Sequence, residues 1–195
     1  TDTWFGSPGR VCSLAVGPGV EATAEVARRA PRAAPVRLVA PALGLDAGCG
    51  PGPGGDWGAP VPAEHPLLAH AVAEALETVA VPGDRAITLT ITSAVPPGAS
   101  LGTSASVVVA VLAALDALIA TVDRSGRSSP EDLARRAHRV ETDRAGRESG
   151  VQDQWAAALG GCLDLAVAPY PEVRARTIDL APDVAGALAE RLVTV

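Results

Sequence analysis

The alternation of apolar and polar positions divides the chain into a mixed set of strands and helices. Val20, Ala22, Ala24 and Val26 alternate with Glu21, Thr23 and Glu25, the two-residue period of a half-buried strand over 20–27. The same period is sharpest at Ile87, Leu89 and Ile91, interleaved with Thr88, Thr90 and Thr92. Residues 4–16 and 36–40 predict two further strands, the first joined to 20–27 by the turn Gly17-Pro18-Gly19. The stretch 44–62, rich in glycine and proline, predicts an irregular loop. After Pro66 a helical period takes over, with Leu67, Leu68, Ala71, Val72, Ala75, Leu76 and Val79 on one stripe. A second helix starts near Ser104 and is apolar almost all round, which predicts a central, buried position.

Ser129-Pro130-Glu131-Asp132 reads as a helix start: a capping serine, proline at the first position, acids in the first turn. Leu133, Ala137 and Val140 form its inward face. A helix over 149–159 ends at Gly160-Gly161. Strands at 162–167 and 174–179, a helix at 183–191 and the first residues of another strand at 192–195 follow. The order is that of an α/β chain.

Composition narrows what such a chain can do. Its 195 residues suffice for one sizeable core, and 48% of them are hydrophobic, so it is globular. A net charge of −6 gives no electrostatic footing for nucleic acid. No lysine occurs: all 16 basic residues are arginine. Any handling of phosphate therefore falls to backbone amides, arginine or a metal. Cys12, Cys49 and Cys162 are sparse and unpaired in spacing, which fits a reducing compartment, and a cytoplasmic location is expected. No basic run followed by an apolar one marks a secretory signal. The apolar run Val107 to Val122 carries Asp116 and is short for a membrane span, so no membrane partner is expected. Homo-oligomerisation is compatible with the sequence, which specifies no state.

Chemistry concentrates in two segments. In the first, the strand around Ile91 runs through Pro96-Pro97-Gly98 into Ala99-Ser100-Leu101-Gly102-Thr103-Ser104-Ala105-Ser106, where the buried helix begins. The first turn of a helix leaves backbone N–H groups unpaired at the positive end of its dipole, and small residues let a polyphosphate approach them. Thr103, Ser104 and Ser106 either cap the helix or ligate a magnesium ion held by such phosphates. The segment is neither a P-loop, which needs a lysine beside the hydroxyl, nor a dinucleotide fingerprint.

The second segment runs from Glu141 to Gly161. Glu141 follows Leu133 and Ala137 at helical spacing and falls on the inward stripe. An acid there is costly unless it is paired, hydrogen-bonded or metal-bound, and Arg135, Arg139 and Arg144 are the candidate ion-pair partners. Asp153 opens the following helix, where the dipole favours a carboxylate. His65, His70 and His138 have no ligand spacing and are expected on surface or helix faces, while Trp57 either lines a pocket or anchors its loop.

The string from Pro97 to Ser106 resembles the Pro-x-x-x-Gly-Leu-Gly-Ser-Ser-Ala phosphate loop of the GHMP kinases, with Ser100 at a usual glycine and Thr103 at the first serine. Glu141, Gly146 and Ser149-Gly150-Val151-Gln152-Asp153-Gln154, with Gly160-Gly161, resemble that superfamily's acidic and Ser-Gly-x-Asp segment. The inserted glutamine is most similar to heptose-phosphate kinases and fucokinase-like members. Ser7-Pro8-Gly9-Arg10-Val11 resembles the family's N-terminal Pro-Gly-Arg-Val element.

This resemblance implies the ribosomal protein S5 domain 2-like N-terminal domain over 1–195, with 192–195 opening a C-terminal domain that the chain does not include. It implies ATP and Mg2+ as cofactors: Pro97, Gly98, Ala99, Ser100, Leu101, Gly102, Thr103, Ser104 and Ala105 would cradle the phosphates, with Ser104 and Glu141 on magnesium. Asp153 would take the proton from the acceptor hydroxyl, with Arg10 lowering its pKa and neutralising the transferring phosphoryl group. The implied acceptor is a sugar or sugar phosphate. After Arg10, relatives carry Gly-Glu-His-x-Asp or Gly-Gly-Gly-Thr-Asp, which hold sugar hydroxyls. Here the chain reads Cys12-Ser13-Leu14-Ala15-Val16, which leaves a non-sugar acceptor of the homoserine or mevalonate type, or a non-catalytic nucleotide-binding role, open.

Overall fold

The computed structural model describes residues 8–17, 19–51, 57–59 (backbone alone), 65–77, 79, 81–94, 102–124 and 126–192. In chain order the elements are β1 (Gly9–Leu14), β2 (Val20–Arg28), β3 (Val36–Ala40), β4 (Leu45–Pro51), β5 (Trp57–Ala59), α1 (Pro66–Leu76) and β6 (Arg85–Ser93). Then come α2 (Thr103–Asp123), α3 (Pro130–Arg139), α4 (Gln152–Leu159), β7 (Cys162–Val167), β8 (Val173–Ile178) and α5 (Pro182–Arg191). Among the described residues the strands form two sheets, ordered β1-β7-β8 and β2-β6-β3-β4-β5. All pairings are antiparallel except β3 with β6, whose connection passes through β4, β5 and α1. The result is the expected α/β architecture.

The larger sheet buries one row of each central strand. Val36, Leu38 and Ala40 of β3 and Ile87, Leu89 and Ile91 of β6 pack against α1 and α2 through Val72, Leu76, Val108, Val111, Leu112 and Leu115. Each such aliphatic side chain removed from water contributes about 1.5–3 kcal/mol. The threonines between them on β6 face outward, as the alternation requires. The smaller sheet turns Leu163, Leu165 and Val167 onto Val151 and Trp155 of the α4 region and Ala134 of α3. Helix α2 is long and apolar enough to cross a membrane by length and composition. In the fold it packs against β2, α1, α3 and α4. Its one internal acid, Asp116, accepts hydrogen bonds from the Ser128 N–H at 2.8 Å and hydroxyl at 2.7 Å, and faces Arg136. Val122 at its far end is nevertheless 70% exposed, so the helix is buried along one side and not all round.

Strands β1 and β2, consecutive in the chain, lie in different sheets, β1 against β7 and β2 against β6. A further expectation is corrected. The stretch expected as an irregular loop contains β4 and β5, and β3 and β4 form a hairpin turned by Pro41–Leu43 and Gly44 at φ 62°. Its glycines mislead because they serve packing: a Cβ on Gly48 would stand 2.7 Å from Ala34 Cβ, and one on Gly50 2.9 Å from Pro35 Cδ. Leu192 is extended, as expected of a strand start, and 193–195 lie outside the described residues.

Candidate active site

The site gathers where the first turn of α2, the turn after α3 and the start of α4 meet. Helix α2 begins at Thr103 after Gly102, whose φ of 67° is a left-handed conformation that glycine adopts without strain. The N–H groups of Thr103, Ser104 and Ala105 have no acceptor within the helix. The Ser106 N–H and hydroxyl both donate to the Gly102 carbonyl, at 3.0 and 3.1 Å, so the Ser106 hydroxyl is bonded back onto its own helix and caps none of its free N–H groups. Ser104 is exposed at the mouth, whereas the Thr103 hydroxyl oxygen is buried without a partner. Of the predicted phosphate loop, Pro97, Gly98, Ala99, Ser100 and Leu101 lie outside the described residues.

Helix α3 starts as expected, the Ser129 hydroxyl accepting from the Asp132 N–H at 3.1 Å. At its far end it widens into one π-helical turn, Val140–Arg144, closed by the Ala145 N–H donating to the Val140 carbonyl at 3.1 Å. Glu141 sits in that turn and is 4% exposed. π-turns inside helices recur at functional sites. None of the three arginines expected as partners pairs with it: Arg135 pairs with Asp132 and lies over Trp155, while Arg139 and Arg144 converge on Glu74. Glu141 instead accepts a hydrogen bond from the Ser149 hydroxyl on Oε2 at 2.9 Å, and that hydroxyl accepts from the Gln154 amide at 3.2 Å. Its second oxygen, Oε1, is buried and unpartnered, as is the Gln154 amide oxygen.

Burial pushes the Glu141 carboxyl above its ordinary range, and the Asp153 charge pushes it the same way, against the Ser149 hydrogen bond and the Arg147 charge. A carboxylate kept from water with a free oxygen and a second carboxylate nearby is a poor ion pair and a good seat for a cation. These donors, an acid oxygen and serine or threonine hydroxyls, suit a hard, oxygen-seeking ion such as Mg2+. The residues present fit that group. Asp153, in the first turn of α4, lies against Gly102: a Cβ there would stand 3.2 Å from Asp153 Cγ. The structure thus joins Gly102, Thr103, Glu141 and Asp153.

Arg10 is held by a different carboxylate. On β1 it forms a two-pronged pair with Asp164 of β7, Nε to Oδ1 at 2.6 Å and the second prong at 2.5 Å, and Arg176 of β8 joins at 2.9 Å. Arg147 is the cation that both lines the neighbouring cleft and acts on Glu141. Only its arginine type, in a chain without lysine, offered a sequence signal for it. The cleft, about 320 Å³, runs from Ala40 and Leu43 past Pro66 and Leu68 to Thr103, Ser104 and Val107. Its lining is mostly apolar, interrupted by His65, Ser93, Thr103, Ser104 and Arg147.

His138 lies on a helix face, the second of the two expected placements, on the buried side of α3 at 6% exposed, its Nε2 lying 2.9 Å from the Tyr170 hydroxyl. Burial lowers its pKa. His65 and His70 are half-buried. The side chain of Trp57 lies outside the described residues.

Comparison with known proteins fits this geometry. The family described as GHMP kinases N terminal domain matches residues 67–161, the span that holds α1 through α4. Over that span the chain is similar to the N-terminal domain of GHMP kinases. Over 95 residues (47% of the chain) it is 37% identical to a mevalonate kinase of Thermococcus onnurineus, covering 27% of that protein. The fold of a D-glycero-D-manno-heptose 1-phosphate kinase from Bacteriodes thetaiotaomicron superposes with a TM-score of 0.63 at 19% identity, over 82% of this chain and 48% of that one. The mevalonate kinase of Methanococcus jannaschii gives 0.63 at 17% identity, over 92% and 51%. The chain thus shares the α/β fold of these kinases and spans about half the length of the solved relatives.

Proposed function

We propose that the protein is an ATP-dependent kinase that transfers the γ-phosphoryl group of MgATP to a hydroxyl of a small molecule, a sugar or sugar phosphate. The observation that carries this reading is the buried Glu141, with Oε1 unpartnered, in one cluster with Asp153 and the first turn of α2. The open amides of Thr103, Ser104 and Ala105 bind phosphate oxygens, and the segment Pro97 to Leu101 completes the cradle. The apolar cleft beside Ser104 and Val107 receives the flat nucleobase. Ser104 and Glu141 hold magnesium, which when bound neutralises charge on the polyphosphate.

Asp153 takes the proton from the acceptor hydroxyl, a role for which the edge of the cluster, against Gly102, suits it. Arg147 supplies positive charge at the cleft. Arg10, whose side chain is 69% exposed, acts on the transferring group only by leaving Asp164. Catalysis by this set is positioning and charge neutralisation, which is what phosphoryl transfer chiefly requires.

The Gln152-Asp153-Gln154 string supports the sugar-type acceptor. A second reading, a hydroxy acid of the mevalonate type, is favoured by the 37% identity over 95 residues to a mevalonate kinase. Incubation with MgATP and a panel of hexoses, heptose phosphates, mevalonate and homoserine, read by ADP release and phosphorus NMR, tests both. Phosphorylation of a sugar or sugar phosphate is the expected result. Turnover of mevalonate alone establishes the second reading, and MgATP binding without transfer to any acceptor leaves a nucleotide-binding protein in place of a kinase.

A further inference from the structure

Ser149 fixes Glu141 but belongs to a stretch, 146–150, that has no strand or helix of its own to hold it. What holds it comes from two distant places. Tyr170, the only tyrosine in the chain, lies beyond β7 and donates its hydroxyl hydrogen to the Ser149 carbonyl at 3.2 Å. His138, one turn before Glu141 on α3, lies with Nε2 2.9 Å from the Tyr170 hydroxyl and 3.3 Å from the same carbonyl. The two rings meet edge to face, 5.3 Å apart at 75°. A neutral imidazole with its proton on Nε2 satisfies both neighbours, because it donates to the tyrosine oxygen and the carbonyl alike.

We propose that Tyr170 and His138 are positioning residues, a clamp on the Ser149 carbonyl that keeps the Ser149 hydroxyl on Glu141 Oε2 and Oε1 free for the metal. The proposal rests on the reading of Glu141 as a magnesium ligand. The mechanism is geometric. Gripping the carbonyl fixes the 149–150 peptide plane and with it the direction of the Ser149 side chain. The Gln154 amide occupies a lone pair of that hydroxyl, so its single hydrogen points at Glu141. Without the clamp the hydroxyl can turn to the Gly150 carbonyl, which already lies 3.1 Å away. The buried carboxylate then rotates without a fixed partner. Partners one step beyond a metal ligand are typically worth about 10–100-fold in metal affinity.

The test is calorimetric titration with ADP, with and without magnesium, on the parent protein, Tyr170→Phe, His138→Gln, His138→Leu and Glu141→Gln. The clamp predicts that Tyr170→Phe and His138→Leu lose about tenfold of the magnesium-dependent gain in ADP affinity. Their affinity without magnesium stays within about twofold of the parent. His138→Gln, which keeps a side-chain N–H donor, recovers most of the gain. Variants that match the parent in both conditions overturn the clamp and leave the metal reading intact. An equal loss with and without magnesium, alongside a lower melting temperature, also overturns it, since that marks a purely structural contact. A parent that binds ADP without any magnesium dependence overturns the metal reading and the clamp together.

Discussion

Two acid-centred clusters on neighbouring elements have opposite designs. Asp164, on the surface of β7, is held by two arginines: Arg10 grips both of its oxygens and Arg176 shares one. Those guanidinium groups hold its carboxyl well below the usual carboxylate range. Glu141 is buried, held by one neutral hydroxyl, and pushed the other way by burial. A carboxylate already satisfied by permanent cations has no capacity left for a transient one. One that is desolvated and half-satisfied does, and the protein maintains it at a cost in stability. Functional potential therefore follows the deficit in partners and not the number of charges. The Glu74 cluster, which collects Arg136, Arg139 and Arg144, sides with Asp164: it is scaffold.

The comparison breaks most sharply at Asp153. If the under-partnered cluster is the catalytic one, Asp153→Asn lowers kcat by about 10²–10⁴-fold while MgATP binding changes little. Steady-state kinetics beside nucleotide titration check this, and unchanged kcat removes Asp153 from the mechanism. Glu141→Gln comes next. It should weaken the magnesium dependence of nucleotide binding by at least about tenfold, more than an outer partner such as Ser149 costs. It should also melt no lower than the parent in the absence of magnesium, because it replaces a desolvated charge by a neutral amide of the same shape. A marked drop in melting temperature would show Glu141 to be structural, like Asp164.

How much of this was readable beforehand divides along the same line. The alternation at Ile87, Leu89 and Ile91 and the cap at Ser129 predicted β6 and α3 because the signals are local. The pairing of Glu141 with Ser149 and of Gly102 with Asp153 joins separate elements, and periodicity carries no information about that. Spacing put Glu141 on the inward stripe and left an ion pair, a hydrogen bond or a metal open as its partner. The π-turn, which no residue type announces, set the orientation that leaves Arg139 and Arg144 to Glu74. Composition failed at Gly48 and Gly50, where close contact with Ala34 and Pro35 looks like loop chemistry. The partner of His138 was not legible because an amphipathic helix face does not reveal a tyrosine arriving from beyond another strand.

Gly102→Ala sharpens the comparison at smaller scale. An alanine at φ 67° costs about 1–2 kcal/mol in backbone strain alone. Its Cβ would also press on Asp153 at 3.2 Å. Denaturant unfolding should register the strain, and kcat should fall further than that loss of stability explains. A variant with lower stability but unaltered kcat would mean that Asp153 yields without consequence and that the contact is packing.

The smallest effects belong to the satisfied cluster, and there the sign can be worked out. Asp164 has a folded-state pKa below its ordinary value of 3.8, so the folded protein binds fewer protons than the unfolded one in that window. Its contribution to stability is complete above the unfolded value and disappears as pH falls through the folded one. Asp164→Asn should therefore lower the melting temperature slightly at neutral pH and not at all in strong acid, since exposed pairs of this kind are weak and screened by salt. Arg10→Ala should follow the same profile if Asp164 is its whole role. A kcat that falls in Arg10→Ala but not in Asp164→Asn would instead mean that the arginine leaves its surface partner during turnover and serves the transferring phosphoryl group.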